Sequence, residues 1–150
     1  MFGFNAGVNE YARVGVETGV VSANPSRLIV MMYEGAIAAC NMAIKHIAEQ
    51  DIAGKSAALS KAIMIIESGL RLSLDKNAGG EIAESLDSLY AYMSNRLYMA
   101  NLKRDIEPVE EVVRLLNDLN DAWVVLANNP VATQSARNPA AQHNTNFAKV

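Results

Sequence analysis

Two histidines, one cysteine and one glycine pair are where covalent or metal chemistry could begin in this chain of 150 residues. A helical bundle can house a di-iron or di-manganese centre, which needs inward glutamates and a Glu-x-x-His pair on facing helices. His46 has Ala43 three residues before it, and His143 lies in a stretch of Asn, Thr and Gln. Neither fits, and no Cys-x-x-Cys or His-Glu-x-x-His spacing offers a zinc site. Cys40 falls on an apolar stripe, where a thiol acts as a small hydrophobe rather than a nucleophile. Gly79-Gly80 lacks the following Lys and Ser/Thr of a phosphate-binding loop and reads as a helix end and turn. The expectation is a protein that is not an enzyme and uses no cofactor and no metal.

Composition narrows the class further. The net charge is −3 and the 13 basic residues are scattered, whereas nucleic-acid backbones select clustered Lys and Arg, so no nucleic-acid partner is expected. The most apolar run, Leu28 to Tyr33, is broken by Glu34 and Gly35, far short of the ~18 apolar residues of a membrane span. A single cysteine makes no internal disulfide, and no charged, apolar and cleavable leader opens the chain. These features predict a cytoplasmic protein without direct membrane insertion. One domain of this length buries roughly 68–70% of its unfolded surface, enough for a core without staples.

The elements that would position any functional residue are helices. Residues 1–23 carry Gly3, Gly7, Gly15 and Gly19 among isolated apolar residues, which predicts a flexible N-terminal segment. Asn24-Pro25 reads as an N-cap followed by proline at the first helical position. Helix one then runs to about Glu49, with Leu28, Met32, Ala36, Cys40, Ala43 and Ile47 as one stripe widened by Ile29, Tyr33, Ile37 and Ile44. Helix two is expected from Lys55 to about Asp75, its core seam being Leu59, Ile63, Ile66, Leu70 and Leu74. Helix three starts on Glu81 after the glycine turn, with Ile82, Leu86, Leu89, Met93, Leu97 and Ala100 on its seam. Pro108 marks the first turn of helix four, carried by Val109, Val112, Leu116, Leu119, Trp123 and Leu126. Four helices joined by short connections must reverse at each turn, giving an all-α, antiparallel up-down four-helix bundle over 24–127. From 128 to 150 the composition turns to Asn, Pro, Ala, Thr and Gln, a tail expected to be disordered.

Two features exceed what a bundle core needs. Tyr90, Tyr92, Tyr98 and Met99 add bulk around the helix-three seam, and tyrosine suits surfaces that are half wet and half buried. On helix two, Ala58, Ala62, Ile65, Gly69 and Leu72 form a second strip beside the core seam. Small residues flanked by Ile and Leu build either a shallow groove for another chain's apolar side chains or a place of close approach for a neighbouring helix. Spacing alone leaves both open.

The segment Leu72 to Asn101 also carries a resemblance. Its pattern, SLDxxxGGEIAxxLxxLYxYxxxRLxxAN from Ser73 to Asn101, resembles the signature region of the flagellar secretion chaperones of the FliS family. The likeness extends through Tyr11, Ser22-Ala23-Asn24-Pro25, Leu28-Ile29, Leu59 to Ile63, Ile65-Ile66, Glu110-Glu111-Val112, Leu115-Leu116 and Ala122-Trp123, about residues 8–127 in order. It implies a cytoplasmic export chaperone that receives the C-terminal region of flagellin, prevents premature polymerisation and delivers it to the flagellar type III export gate. By that resemblance the flagellin contacts are Ile65, Leu72 and Leu74 on helix two, with Leu86, Leu89, Tyr90 and Met93 on helix three. The N-terminal segment would lie over part of this surface until flagellin displaces it, and Val8 and Tyr11 would engage the export-gate membrane protein. The rival reading is a self-associating structural bundle whose surplus apolar surface closes a homodimer, a state also open to the chaperone in the absence of its client.

Overall fold

Asn24 opens the first helix as its residue type predicts: its side-chain oxygen accepts a hydrogen bond from the Arg27 amide at 2.8 Å, and Pro25 follows at the first helical position. The computed structural model describes residues 24–128, so the expectations for the N-terminal segment, Val8 and Tyr11 included, and for the tail after Asn128 lie outside the described residues. Four helices are present among the described residues: α1, Pro25–Ala48; α2, Ile52–Met64, continued by a π-helical segment, Ile65–Arg71; α3, Lys76–Lys103; and α4, Ile106–Ala127.

Each later helix is capped by an aspartate. Asp51 accepts from the Gly54 amide, Asp75 from Asn77 and Ala78, and Asp105 from Glu107. Because Asp51 is the cap, α2 starts at Ile52, three residues before Lys55. Asp75 likewise starts a helical turn ahead of the glycine pair, and the chain breaks inside α3 at Gly80, with φ 56° and ψ −132°. A side chain rarely adopts that conformation, so glycine is required there. The helix resumes on Glu81 beyond the break.

Polar contacts set the direction of the helices. Lys55, at the start of α2, donates from Nζ to the Asn101 carbonyl near the end of α3 at 2.8 Å. Arg71, at the other end, reaches Asp87 early in α3, and Arg96 of α3 reaches Glu111 of α4. α1 packs most extensively on α4 and α2, while α3 closes the remaining side against α2, its π-helical continuation and α4. The fold is therefore an antiparallel up-down four-helix bundle. One end gathers the start of α1, the π segment, the start of α3 and the end of α4.

The expected stripe of α1 is the core. Leu28, Met32, Ala36, Cys40 and Ala43 are buried, with Ile29 and Tyr33 beside them. They meet Leu59, Ile66 and Leu70, then Met93, Leu97 and Ala100, and Val109, Val112 and Leu116. Pro25–Ala48 is long and apolar enough to cross a membrane, but half of its most apolar stretch is packed inside the bundle. Burial pushes the Cys40 thiol up to about 12, which leaves it protonated and inert at neutral pH.

Candidate functional site

The helical period of α2 fails where its chain becomes π-helical. Sequence spacing separates Ile66 and Leu70, in the core, from Ile65 and Gly69 on a second strip, yet all four are buried. A π turn closes i→i+5 bonds in place of i→i+4, so it carries more residues per turn and turns two adjacent positions inward at once. Gly35 on α1 faces this turn: a β-carbon there would stand 3.4 Å from Ile65 Cδ1, in van der Waals contact. Ala62 is buried as well, so most of the second strip is a place of helix approach. Ile63, expected on the core seam, is only half-buried.

Leu72 emerges from that strip. It is 45% exposed, against 4% for Ile65. Its neighbours are fixed: Arg71 is bound to Glu67 and Asp87, and the buried Ser73 donates its hydroxyl to the Gly69 carbonyl. Leu74 is half-buried against the core.

α3 shows the complementary pattern. Its apolar period runs unbroken from Ile82 to Ala100, but only the second half is covered: Met93, Leu97 and Ala100 are buried, Leu86 and Leu89 are half-buried, and Ile82 is 41% exposed. The helix thus carries a bundle seam over its whole length while the bundle closes over part of it. Leu72, Leu74, Ile82, Leu86 and Leu89 all belong to the same end of the molecule. The Arg71 to Asp87 contact ties the two stretches together, since Asp87 directly follows Leu86.

Tyr90 and Met93 are core residues in this arrangement. Tyr90 is 2% exposed and its hydroxyl meets that of Tyr33 on α1. Burial pushes Tyr33 up to about 12, opposed by hydrogen bonds to Tyr90 and Trp123. Burial also raises Tyr90 well above its ordinary value, with the neighbouring Tyr33 adding to the effect. Both stay neutral phenols at physiological pH. Tyr92 is exposed and donates to Glu111 Oε2 at 2.7 Å, beside Arg96 at 2.6 Å from Oε1. The seam position of Ile82 gives no sign of its exposure, and the Glu67–Arg71–Asp87 cluster has only the i,i+4 spacing of Glu67 and Arg71 to betray it.

No group of three His, Cys, Asp or Glu able to hold a metal occurs among the described residues. A mostly apolar depression of about 310 Å³ lies between α1 and α2, lined by Ala38, Met42, Ala57 and Ala58. Another, of about 400 Å³, is lined by His46, Gln50, Asp51 and Lys55 at the end remote from Leu72. There His46 Nδ1 lies 3.1 Å from Asp51 Oδ2, and Gly54 lacks the β-carbon that would strike both. No described constellation aligns a nucleophile with a base.

Comparison with known proteins decides the family. The family model described as "Flagellar protein FliS" matches residues 7–130. The chain belongs to the FliS family. It is 46% identical to the flagellar secretion chaperone FliS of Salmonella typhimurium, the match covering 79% of this chain and 87% of that protein. The corresponding protein of Escherichia coli is 43% identical, over 78% and 86% of the two chains. The flagellar secretion chaperone FliSB of Pseudomonas aeruginosa is 38% identical, over 77% and 91%. As a member of the FliS family, this chain is a flagellar secretion chaperone. Its signature region contains the Asp75 cap, the Gly80 break, the partly covered α3 seam and Asn101, whose carbonyl and side chain receive Lys55 and Ser56.

Proposed function

We propose that this protein holds the C-terminal region of flagellin in the cytoplasm, prevents its premature polymerisation and delivers it to the flagellar type III export gate. The observation that carries the reading is the α3 seam, apolar along its full length yet only partly covered at Ile82, Leu86 and Leu89, at the same end of the bundle as the exposed Leu72. Leu72, Leu74, Leu86 and Leu89 make the flagellin contacts in this reading, with Ile82 added to them. Ile65, Tyr90 and Met93 support that surface from within the core. An amphipathic helix of the client completes the seam in the way helices fill apolar grooves elsewhere. Binding draws on apolar burial at about 25 cal/mol per Å², offset by the cost of ordering the client segment. No bond is made or broken, so the complex can be handed on intact.

Val8 and Tyr11 are assigned to the contact with the export-gate membrane protein, by the resemblance of the N-terminal segment. Calorimetric titration with a synthetic flagellin C-terminal peptide tests the client half: we expect saturable binding with a negative heat-capacity change, the mark of apolar burial. Absence of binding, or a constitutive homodimer that the peptide leaves intact, would favour the self-associating structural bundle instead. For the gate half, Val8→Ala and Tyr11→Ala should reduce flagellin export in cells without reducing peptide affinity. Normal export by the double variant would remove the assignment.

A further inference from the structure

We propose that Arg71 is a positioning residue for the client surface, holding the π-helical turn so that Leu72 is presented in one fixed direction. The inference deepens the reading above and rests on it. A π-helical stretch of seven residues is longer than the single-turn bulges usual in proteins, which themselves concentrate at functional sites. Something must hold it against reversion to the α form. Arg71 Nη1 donates to Glu67 Oε1 at 3.0 Å and Oε2 at 3.3 Å within the π segment, and Arg71 Nε donates to Asp87 Oδ1 on α3 at 2.6 Å.

Both carboxylates are held from behind. Ser94, buried on α3, donates to Glu67 Oε2 at 2.6 Å, and Lys76 Nζ lies 3.2 Å from Asp87 Oδ2. The guanidinium therefore couples the π turn to α3 through a chain of polar groups that are each engaged elsewhere. On the other side of Leu72, the Ser73 hydroxyl closes on the Gly69 carbonyl. Leu72 stands exposed between two anchored neighbours, so less of its freedom remains to be lost when a client side chain packs on it. Arginine's planar fork holds the two carboxylates in one fixed geometry, whereas lysine's ammonium is a point donor on a flexible stem and sets none.

The test uses the full chain, with Arg71→Gln, Arg71→Lys, Asp87→Asn and Leu72→Ala, and Arg71→Gln combined with Leu72→Ala. Methyl relaxation of Leu72 by NMR reads positioning without any client. We expect a rigid Leu72 in the parent protein and an averaged one in Arg71→Gln, Arg71→Lys and Asp87→Asn. With the flagellin C-terminal peptide, Arg71→Gln should weaken binding about fivefold, and Leu72→Ala should cost much less in the Arg71→Gln background than alone, as coupled neighbours do. Equal Leu72 order in all proteins, or effects of Arg71→Gln and Leu72→Ala that simply multiply, would overturn the proposal. A parent protein that does not bind the peptide would sink the functional reading, while the Leu72 relaxation would still decide the positioning.

Discussion

Tyr33 on α1 and Tyr90 on α3 meet hydroxyl to hydroxyl inside the bundle, their rings 6.5 Å apart and inclined at 52°. Their helices stand diagonally across the four. The pair is thus a polar tie between opposite corners of the bundle, at the point along α3 where its apolar seam passes from half-buried (Leu86, Leu89) to buried (Met93, Leu97).

Removing one hydroxyl leaves the other buried without this partner. Tyr33→Phe should therefore cost about 1–3 kcal/mol, read from urea unfolding midpoints, and adding Tyr90→Phe should recover part of the loss by removing the orphaned Tyr90 hydroxyl, while Trp123 still lacks its Tyr33 partner. A double variant less stable than Tyr33→Phe would contradict this account of the tie. Burial also raises the pKa of Tyr33 from 10.0 to about 12. Stability from that shift is complete below pH 10 and is lost as pH rises toward 12, because the unfolded chain ionises first.

Gly80 has φ 56° and ψ −132°, and an added β-carbon would meet nothing within 4 Å. The cost of Gly80→Ala is consequently backbone strain alone, about 1–3 kcal/mol. Thermal melts followed by circular dichroism should show it, with the helical content of the folded protein retained. An unchanged melting temperature would mean that the break in α3 is not fixed by its backbone angles.

Acid should loosen the junction between the π segment and α3. The Arg71 guanidinium, with Lys76 assisting, holds the Asp87 carboxyl below its ordinary value of 3.8. The stability this provides is present above that value and is lost as pH falls through the lower folded pKa. Melting temperatures of the parent and Asp87→Asn should accordingly differ at neutral pH and draw together as pH falls below 3.8 and through the lower folded value. A difference that persists undiminished at low pH would show that Asp87 acts through packing instead of charge.

Much of this fold is legible in the residues. Asn24-Pro25 marks a helix start by stereochemistry alone, and the α1 stripe from Leu28 to Ala43 is buried as its period requires. The α2 seam is legible only as far as Met64, because the rule assigning faces assumes 3.6 residues per turn and the π segment departs from it. Ile65 thereby changes from groove residue to core residue, while Ile63, in the α-helical part before the π segment, is half-buried and its neighbour Ala62 is buried in its stead. For Ile82, Leu86 and Leu89 the period is intact, but a period states which face is apolar and not whether the bundle is long enough there to cover it. The sequence reading of Tyr90 as half wet and half buried rests on the amphipathic ring, and the partner that takes it fully into the core, Tyr33, lies 57 residues away, beyond any local pattern.

The most direct measurement is calorimetric titration of the flagellin C-terminal peptide into Leu72→Glu, with thermal melts of the same protein and Ile65→Glu alongside. Leu72 is exposed and Ile65 is in the core. Leu72→Glu should melt within about 0.5 kcal/mol of the parent while binding the peptide at least tenfold more weakly, because a carboxylate then faces the client's apolar side chains. Ile65→Glu should lose about 3 kcal/mol or more of stability through the buried charge. A Leu72→Glu protein that is stable and binds the peptide as tightly as the parent would contradict the central claim that this uncovered end of the bundle is where the client is held.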